Sequence, residues 1–187
     1  MNKQIDPWTR VRTRHDVPAD ELISALQKEI RRGNVENAAV IAYEMVSTSP
    51  ELERKLWDRL MTISFEDVGL GEANAPAVTD ALERSTGRFA YGEGDRELAA
   101  IHAVRYLATR VKERGSEELL SWVRRGVEEG SVRPEIPDYA IDMHTARGAA
   151  QGRGPRHFYT DGARVAPEVE GRDTTYRDRL MADLGDD

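Results

Sequence analysis

The sequence predicts an all-α protein, a compact array of about seven short helices with an irregular glycine- and arginine-rich carboxy-terminal loop. Two observations support this class. Apolar residues recur at the three- and four-residue spacing of an amphipathic helix along several segments. No segment alternates apolar and polar residues for long enough to indicate a β-strand. Capping and turn residues separate the periodic segments at short intervals, which favours helices packed pairwise over a long coiled coil.

The first half of the chain has the clearest helical pattern. Pro18 announces the first helix and Gly33 ends it, while Asn34 is expected to cap the second helix. Ser49 followed by Pro50 predicts the capped start of a third helix, which Gly69 and Gly71 terminate after residue 68. The predicted buried faces of these three helices are Leu22, Ile23, Leu26 and Ile30; Ala38, Ile41, Ala42 and Met45; and Leu52, Leu56, Trp57, Leu60 and Ile63.

Further helices are expected in the second half of the chain. A helix over residues 138–147 and a short final helix near the carboxy terminus complete the prediction. The apolar residues that are expected to face inward are Val78, Ala81 and Leu82; Leu98, Ile101, Val104, Leu107 and Val111; Leu119, Leu120, Val123 and Val127; Tyr139 and Met143; and Tyr176, Leu180 and Leu184.

The pattern suggests three regions. Residues 1–15 form a polar amino-terminal arm, residues 16–147 form a helical domain, and residues 148–187 form an ordered loop and a short terminal helix that pack on the same domain. The segment 148–173 is rich in glycine and arginine and has no clear apolar period, so a second globular domain is not expected there.

Composition excludes several classes of function. The 187 residues contain no cysteine, which removes disulfides, iron–sulfur clusters and thiolate zinc sites. No apolar run approaches the ~18 residues of a membrane span, and the amino terminus lacks a signal-peptide pattern, so we expect a cytoplasmic protein. A net charge of −7 weighs against a protein that coats nucleic acid, although a local basic patch is compatible with it. Most of the basic residues are arginine. Either a role in phosphate recognition or the base composition of the genome explains this preference.

No catalytic motif is recognisable in the sequence. A P-loop, a nucleophile elbow and a zinc-protease helix motif are all missing, so no catalytic residue, cofactor or enzymatic activity is expected. The adjacent carboxylates Glu66 and Asp67 suit either acid–base chemistry or salt bridges between helices. Because no complementary base or nucleophile lies nearby in sequence, the second interpretation is preferred.

The histidines offer one candidate metal site. His144 and His157 flank the glycine-arginine loop, and Asp142 and Asp161 lie close to them in sequence. Two imidazoles and a carboxylate can hold a divalent metal, which would make the protein a metal-dependent enzyme. The alternative, which we favour, is that each histidine fixes the loop by hydrogen bonds to backbone carbonyls. His102 is expected to be an interior histidine with satisfied hydrogen bonds.

The same loop offers a candidate nucleic-acid contact. Arginine interleaved with aromatic residues is typical of proteins that bind single-stranded nucleic acid, through phosphate pairing and base stacking. The alternative is a solvated loop whose aromatic side chains pack on the helices. The candidate residues are Arg147, Arg153, Arg156, Arg164, Phe158 and Tyr159.

Three segments resemble one known family. ELISALQKEIRRGNVENAAVIAYEM (residues 21–45), RLMTISFEDVGLGEANA (59–75) and GEGDRELAAIHAVRYLA (92–108) are similar, in the same order, to segments of the replication-associated recombination protein A family. This family of AAA+ ATPases includes the Werner-helicase-interacting protein and is related to clamp loaders. The resemblance covers the helical part that follows the ATPase module, and it fades beyond about residue 134.

The resemblance implies a collar-like helical domain that assembles as a homotetramer. It also implies a role in DNA replication, recombination or repair, with DNA, single-stranded-DNA-binding protein or a separately encoded AAA+ ATPase as partners. The 187 residues contain no Walker motif, so the resemblance does not extend to ATP hydrolysis. In the matched SFEDVGLG sequence, Glu66, Asp67, Gly69 and Leu70 are expected at an inter-helix or subunit contact.

Overall fold

A computed structural model describes residues 6–184. Across that range the chain folds into helices and turns without a strand, and an isolated antiparallel bridge joins Arg12 to Pro18. The predicted all-α class is therefore confirmed. The chain divides into two compact units, Met1–Glu128 and Glu129–Asp187, so the expected helical domain of residues 16–147 extends across the division. No helix within residues 6–184 has the length and apolarity that crossing a membrane requires.

The first unit contains six helices in its described part. α2 packs against α1, α3 and α5, while α4 packs on α5 and continues the same core. The elements are a 3-10 turn Pro7–Arg10, α1 Ala19–Arg32, α2 Val35–Thr48, α3 Pro50–Ile63, a π-helical turn Ser64–Val68, a 3-10 turn Gly69–Glu72, α4 Ala75–Thr86, α5 Gly94–Thr109 and α6 Gly115–Glu128.

The core is formed by the apolar faces that the sequence predicts for α1, α2 and α3. Leu26, Leu52, Leu56 and Leu60 are completely buried, and removing each such side chain from water stabilises the fold by about 1.5–3 kcal/mol. Small residues on α2 and α5, such as Ala42, allow close contact between these two helices. The three stripes predicted for the first half of the chain are confirmed.

Most of the predicted helix ends are also confirmed. The Ser49 side chain accepts a hydrogen bond from the Leu52 amide at 3.2 Å, with Pro50 at the first helical position. Gly33 ends α1 with a positive φ of 77°, a conformation that favours glycine. Asn34 precedes α2, but its side chain makes no capping hydrogen bond, so that detail of the prediction is wrong.

The predicted inward faces of α4 and α5 need correction. In α4, Ala75 and Thr79 are buried while Ala81 is exposed. In α5, the buried face is formed by alanines together with Val104 and Leu107. The small alanine side chains let α5 fit closely against α2. Leu98 lies on the opposite face, Val111 lies beyond the helix end, and both are largely exposed.

The largest correction concerns α6. Leu119, Leu120, Val123 and Val127 were expected to be buried, but all four are exposed in the structure. The packing of α6 against the turn Ser64–Val68 leaves these four apolar side chains uncovered.

The second unit is built from short elements within residues 129–184. They are a 3-10 turn Asp138–Ala140, α7 Ala146–Ala150, α8 Pro155–His157, a π-helical turn Phe158–Gly162 that continues α8, and α9 Thr175–Asp183. The predicted helix over residues 138–147 is wrong. Asp142 accepts a hydrogen bond from the His144 amide at 3.0 Å and Thr145 caps α7, so the local hydrogen bonds favour a turn at this point.

Candidate interaction surfaces

The first candidate surface is the apolar face of α6. Leu119, Leu120, Trp122, Val123 and Val127 are each between 37% and 60% exposed. At about 100° per residue they cover roughly 160° of the helix circumference, a stripe wide enough for a buried helix face. A continuous stripe of large apolar side chains in water is typical of an interaction site.

The charges of α6 divide the helix into two halves. Glu117 and Glu118 lie in its first turn, while Arg124 and Arg125 lie in its last two turns. The Glu117 carboxylate is held by Arg114 at 2.9 Å. The first half of α6 therefore carries two acidic residues, while the second half carries Arg124, Arg125 and Glu128 and keeps a net positive charge. The apolar stripe runs along both halves.

The SFEDVGLG sequence forms a buried ionic cluster at the base of α6. Asp67 is fully buried, and its Oδ1 accepts from Arg31 Nε at 2.5 Å and lies 3.5 Å from Arg114 Nε. Gln27 Nε2 donates to Asp67 Oδ2 and to Glu66 Oε1, both at 2.9 Å. Glu66 and Asp67 thus form salt bridges between helices, in agreement with the preferred interpretation of this pair.

Gly69 lets the chain approach the segment before α6. Its φ of +52° lies in the region that favours glycine, and a Cβ here would overlap the backbone carbonyl of Glu113. The Glu113 amide donates to the Asp67 carbonyl at 3.0 Å, and its carboxylate accepts from the Leu70 amide at 3.3 Å. The turn therefore fixes the start of α6, while the Leu70 and Phe65 side chains point away from the core and are exposed.

A second buried carboxylate anchors the amino-terminal arm. Glu44 on α2 accepts from the His15 amide at 3.2 Å and contacts His15 Nδ1 at 2.7 Å and Arg14 Nε at 3.4 Å. Burial raises the pKa of Glu44, but hydrogen bonds with Thr13 and His15 outweigh it and lower the pKa to about 2. Residues 1–5 of the predicted arm lie outside the described residues.

The predicted metal ligands His144 and His157 do not belong to a metal-binding cluster within the described residues. The His144 Nδ1 lies 3.2 Å from Asp142 Oδ2, and its ring packs edge-on against Phe158 with centroids 5.0 Å apart. Hydrogen bonds from His144 lower the pKa of the Asp142 carboxyl. Within residues 6–184 no three histidine, aspartate or glutamate side chains come together in a metal-binding arrangement. His102, which was expected to be interior, is exposed on α5.

Two of the predicted nucleic-acid arginines support the fold of the second unit. Arg153 forms a bidentate pair with Asp138, at 2.7 and 2.8 Å, and also donates to the Ile141 carbonyl at 2.5 Å. This pair lowers the pKa of Asp138. Arg156 donates to the Leu184 carbonyl at the end of α9, at 3.0 Å. Their guanidinium groups therefore bind protein acceptors.

A cleft of about 840 Å³ in the second unit is lined by three arginines, Arg164, Arg172 and Arg177. Of the residues predicted for nucleic acid, Arg164 and Tyr159 line it, whereas Arg147 and Phe158 do not. We call the surface formed by Tyr159, Arg164, Arg172, Tyr176 and Arg177 the basic cleft. Sequence reasoning missed the last three, although the order Arg172, Tyr176, Arg177 repeats the alternation of arginine and aromatic residues that drew attention to the loop.

The structure thus defines an all-α protein with two candidate interaction surfaces, the apolar face of α6 and the basic cleft. No protein-family model matches the chain, and no curated protein matches it. The chemistry of these two surfaces is therefore the guide to function.

Proposed function

We propose that this protein is a non-enzymatic interaction module that self-associates through α6. The supporting observation is the exposed stripe of Leu119, Leu120, Trp122, Val123 and Val127. Each Å² of apolar surface removed from water stabilises a complex by about 25 cal/mol before the costs of association. A helix that presents large aliphatic and aromatic side chains along one face is suited to bind another helix.

A second copy of α6 is the partner that fits this face best. In an antiparallel pair centred at Ser121, the half that contains Glu117 and Glu118 lies against the half that contains Arg124 and Arg125 of the other copy. A parallel pair in register places like charges side by side, which is destabilising. The antiparallel arrangement is isologous, so it closes into a two-fold symmetric pair.

The family resemblance supports a larger assembly with a role in DNA replication, recombination or repair. A tetramer built as a pair of pairs needs a second isologous surface. We place this second surface at the SFEDVGLG turn, because Phe65 and Leu70 are exposed there beside Glu66 and Asp67. In this proposal the module holds a separately encoded AAA+ ATPase or a single-stranded-DNA-binding protein, and performs no ATP hydrolysis itself.

Cysteine cross-linking tests the α6 contact, because the natural chain contains no cysteine. Residues 119 and 123 face each other in the antiparallel pair, so mixing Leu119→Cys with Val123→Cys under mild oxidation should give a covalent dimer. Val40→Cys, at another exposed valine of the first unit, is the matched control. A mixture that cross-links no more than this control would refute self-association through α6. Efficient cross-linking of Leu119→Cys alone would refute the antiparallel direction.

The proposed context is tested separately in the cells from which the protein comes. Chemical cross-linking of a tagged full chain, followed by mass spectrometry, should identify an AAA+ ATPase or a single-stranded-DNA-binding protein. Recovery of the chain cross-linked to itself alone would support the module and contradict the replication context.

A further inference from the structure

We infer that the basic cleft of the second unit binds the phosphate and base of a nucleotide, as part of a single strand of nucleic acid. This inference is independent of self-association through α6. It rests on the side chains that line the cleft, on their pairing and on the size of the cleft.

Two of the cleft arginines have no acidic partner within the described residues. The one carboxylate among the lining residues, Glu168, pairs with Arg172. Arg164 and Arg177 form no ion pair within residues 6–184, in contrast to Arg153, whose two terminal nitrogens donate to Asp138 and to the Ile141 carbonyl. A guanidinium that keeps its donors free is suited to pair with a phosphate. The cleft therefore has a local excess of positive charge, although the net charge of the whole chain is −7.

Two tyrosines line the same cleft and supply flat apolar surface. Tyr176 is 79% exposed, and the Arg179 guanidinium lies over its ring at 5.9 Å from the centroid. Tyr159 is held from one side by the edge-on ring of Phe158, with centroids 5.1 Å apart. Aromatic rings beside unpaired arginines are the combination on which bases stack while phosphates are neutralised.

The dimensions of the cleft favour a nucleotide over a single small anion. A volume of about 840 Å³ falls in the range of clefts that hold ligands of drug size. A sulfate or phosphate alone would leave Tyr159 and Tyr176 without a contact. A strand supplies both chemical groups repeatedly, which matches a cleft with several arginines and two aromatic rings.

Fluorescence anisotropy with a labelled oligothymidylate and the full chain tests this inference. Binding should weaken as salt rises from about 50 to 200 mM, because phosphate contacts release counterions. The double variant Arg164→Gln/Arg177→Gln should bind weakly and reduce the slope of log affinity against log salt by about 0.7 for each arginine removed. Tyr176→Ala should weaken binding about fivefold or more, since one stacking contact is lost.

Arg147→Gln is the matched control, because it removes the same charge from an exposed arginine outside the cleft. Equal weakening by this control, or no binding at low salt, would overturn the inference. Competition with unlabelled thymidine monophosphate separates the two sources of the ligand. Weak competition is expected for a strand, whereas competition at the concentration of the oligomer would overturn the strand and identify a free nucleotide as the ligand.

Discussion

Asp67 shows how a charged residue is held in the interior of the first unit. Its carboxylate is completely buried, yet Arg31, Gln27 and Arg114 direct donors or positive charge at its oxygens. A buried carboxylate persists only when such partners replace the water that it has lost. The cluster joins α1 to the segment before α6, and it therefore positions the helix on which the proposed function depends.

Asp67→Asn is expected to destabilise the protein by about 2–3 kcal/mol, because the amide removes the charge and faces donors with its own N–H groups. Urea unfolding measures the loss. Asp80→Asn is the control, since Asp80 pairs with Arg84 at an exposed position and its replacement should change stability by less than about 0.5 kcal/mol. Equal effects of the two substitutions would contradict the importance of the buried cluster.

Gly69→Ala should destabilise the protein by more than Gly92→Ala. Both glycines have positive φ, of 52° and 87°, which residues with a side chain rarely adopt, so both substitutions carry a backbone cost of about 1–3 kcal/mol. A Cβ at Gly92 meets nothing within 4 Å, whereas at Gly69 it overlaps the carbonyl of Glu113 and adds about 1–3 kcal/mol. Thermal or urea unfolding of the two variants compares them, and a larger loss for Gly92→Ala would show that Gly69 is not the close contact described.

The lowered pKa of Glu44 predicts how the stability of the protein depends on acid pH. Its folded-state pKa, about 2, lies below the ordinary value of 4.5, so its stabilisation is present above pH 4.5. That stabilisation should fall as the pH decreases from about 4.5 to about 2, because the unfolded chain takes up the proton first. Unfolding free energies measured across this window should fall more steeply for the natural chain than for Glu44→Gln. Parallel curves would show that Glu44 does not anchor the arm as described.

At the scale of the element, the sequence predicts helices better than it predicts what covers them. The stripes of α1, α2 and α3 are buried as expected, because each faces a neighbouring helix in the same unit. The stripe of α6 has the same periodicity, but its large side chains remain exposed. Periodicity identifies the apolar face of a helix, and only the tertiary structure reveals whether the same chain covers it.

The other errors also have local physical causes. The helix expected over residues 138–147 is replaced by turns, because Asp142 and Thr145 bind backbone amides with their side chains. Leu98 is exposed because the alanines of α5, which are weak signals in the sequence, form the close contact with α2. Helix propensity and apolar periodicity give a large apolar side chain more weight than a small one. They therefore do not reveal that the alanines of α5 are buried and Leu98 is exposed.

The candidate site was predictable in part. Arg164 and Tyr159 were identified from the mixture of arginine and aromatic residues, but Arg153 and Arg156 share that pattern and bind protein carbonyls instead. Only coordinates distinguish an arginine that supports a loop from one that faces a cleft. Likewise, the cleft joins residues from two segments, and proximity in sequence could not bring Arg177 to Arg164.

At the scale of the whole molecule, the two surfaces lie in different units and have different chemistry. The first unit offers the apolar face of α6, and the second unit offers the basic cleft. The self-association that we propose through α6 would give an assembly with two basic clefts. A strand that reached both clefts would be bound more tightly than by either one alone, because the second contact would be intramolecular.

The central claim is that α6 joins two copies of this protein, and the most direct measurement is the molar mass by light scattering after size exclusion. At about 50 µM the natural chain should give a mass of at least twice its own 21.0 kDa. Val123→Glu, which places a charge on the apolar stripe, should give the mass of a single chain, while Val40→Glu should retain the larger mass. A mass of 21.0 kDa for the natural chain, or an unchanged large mass for Val123→Glu, would contradict the claim.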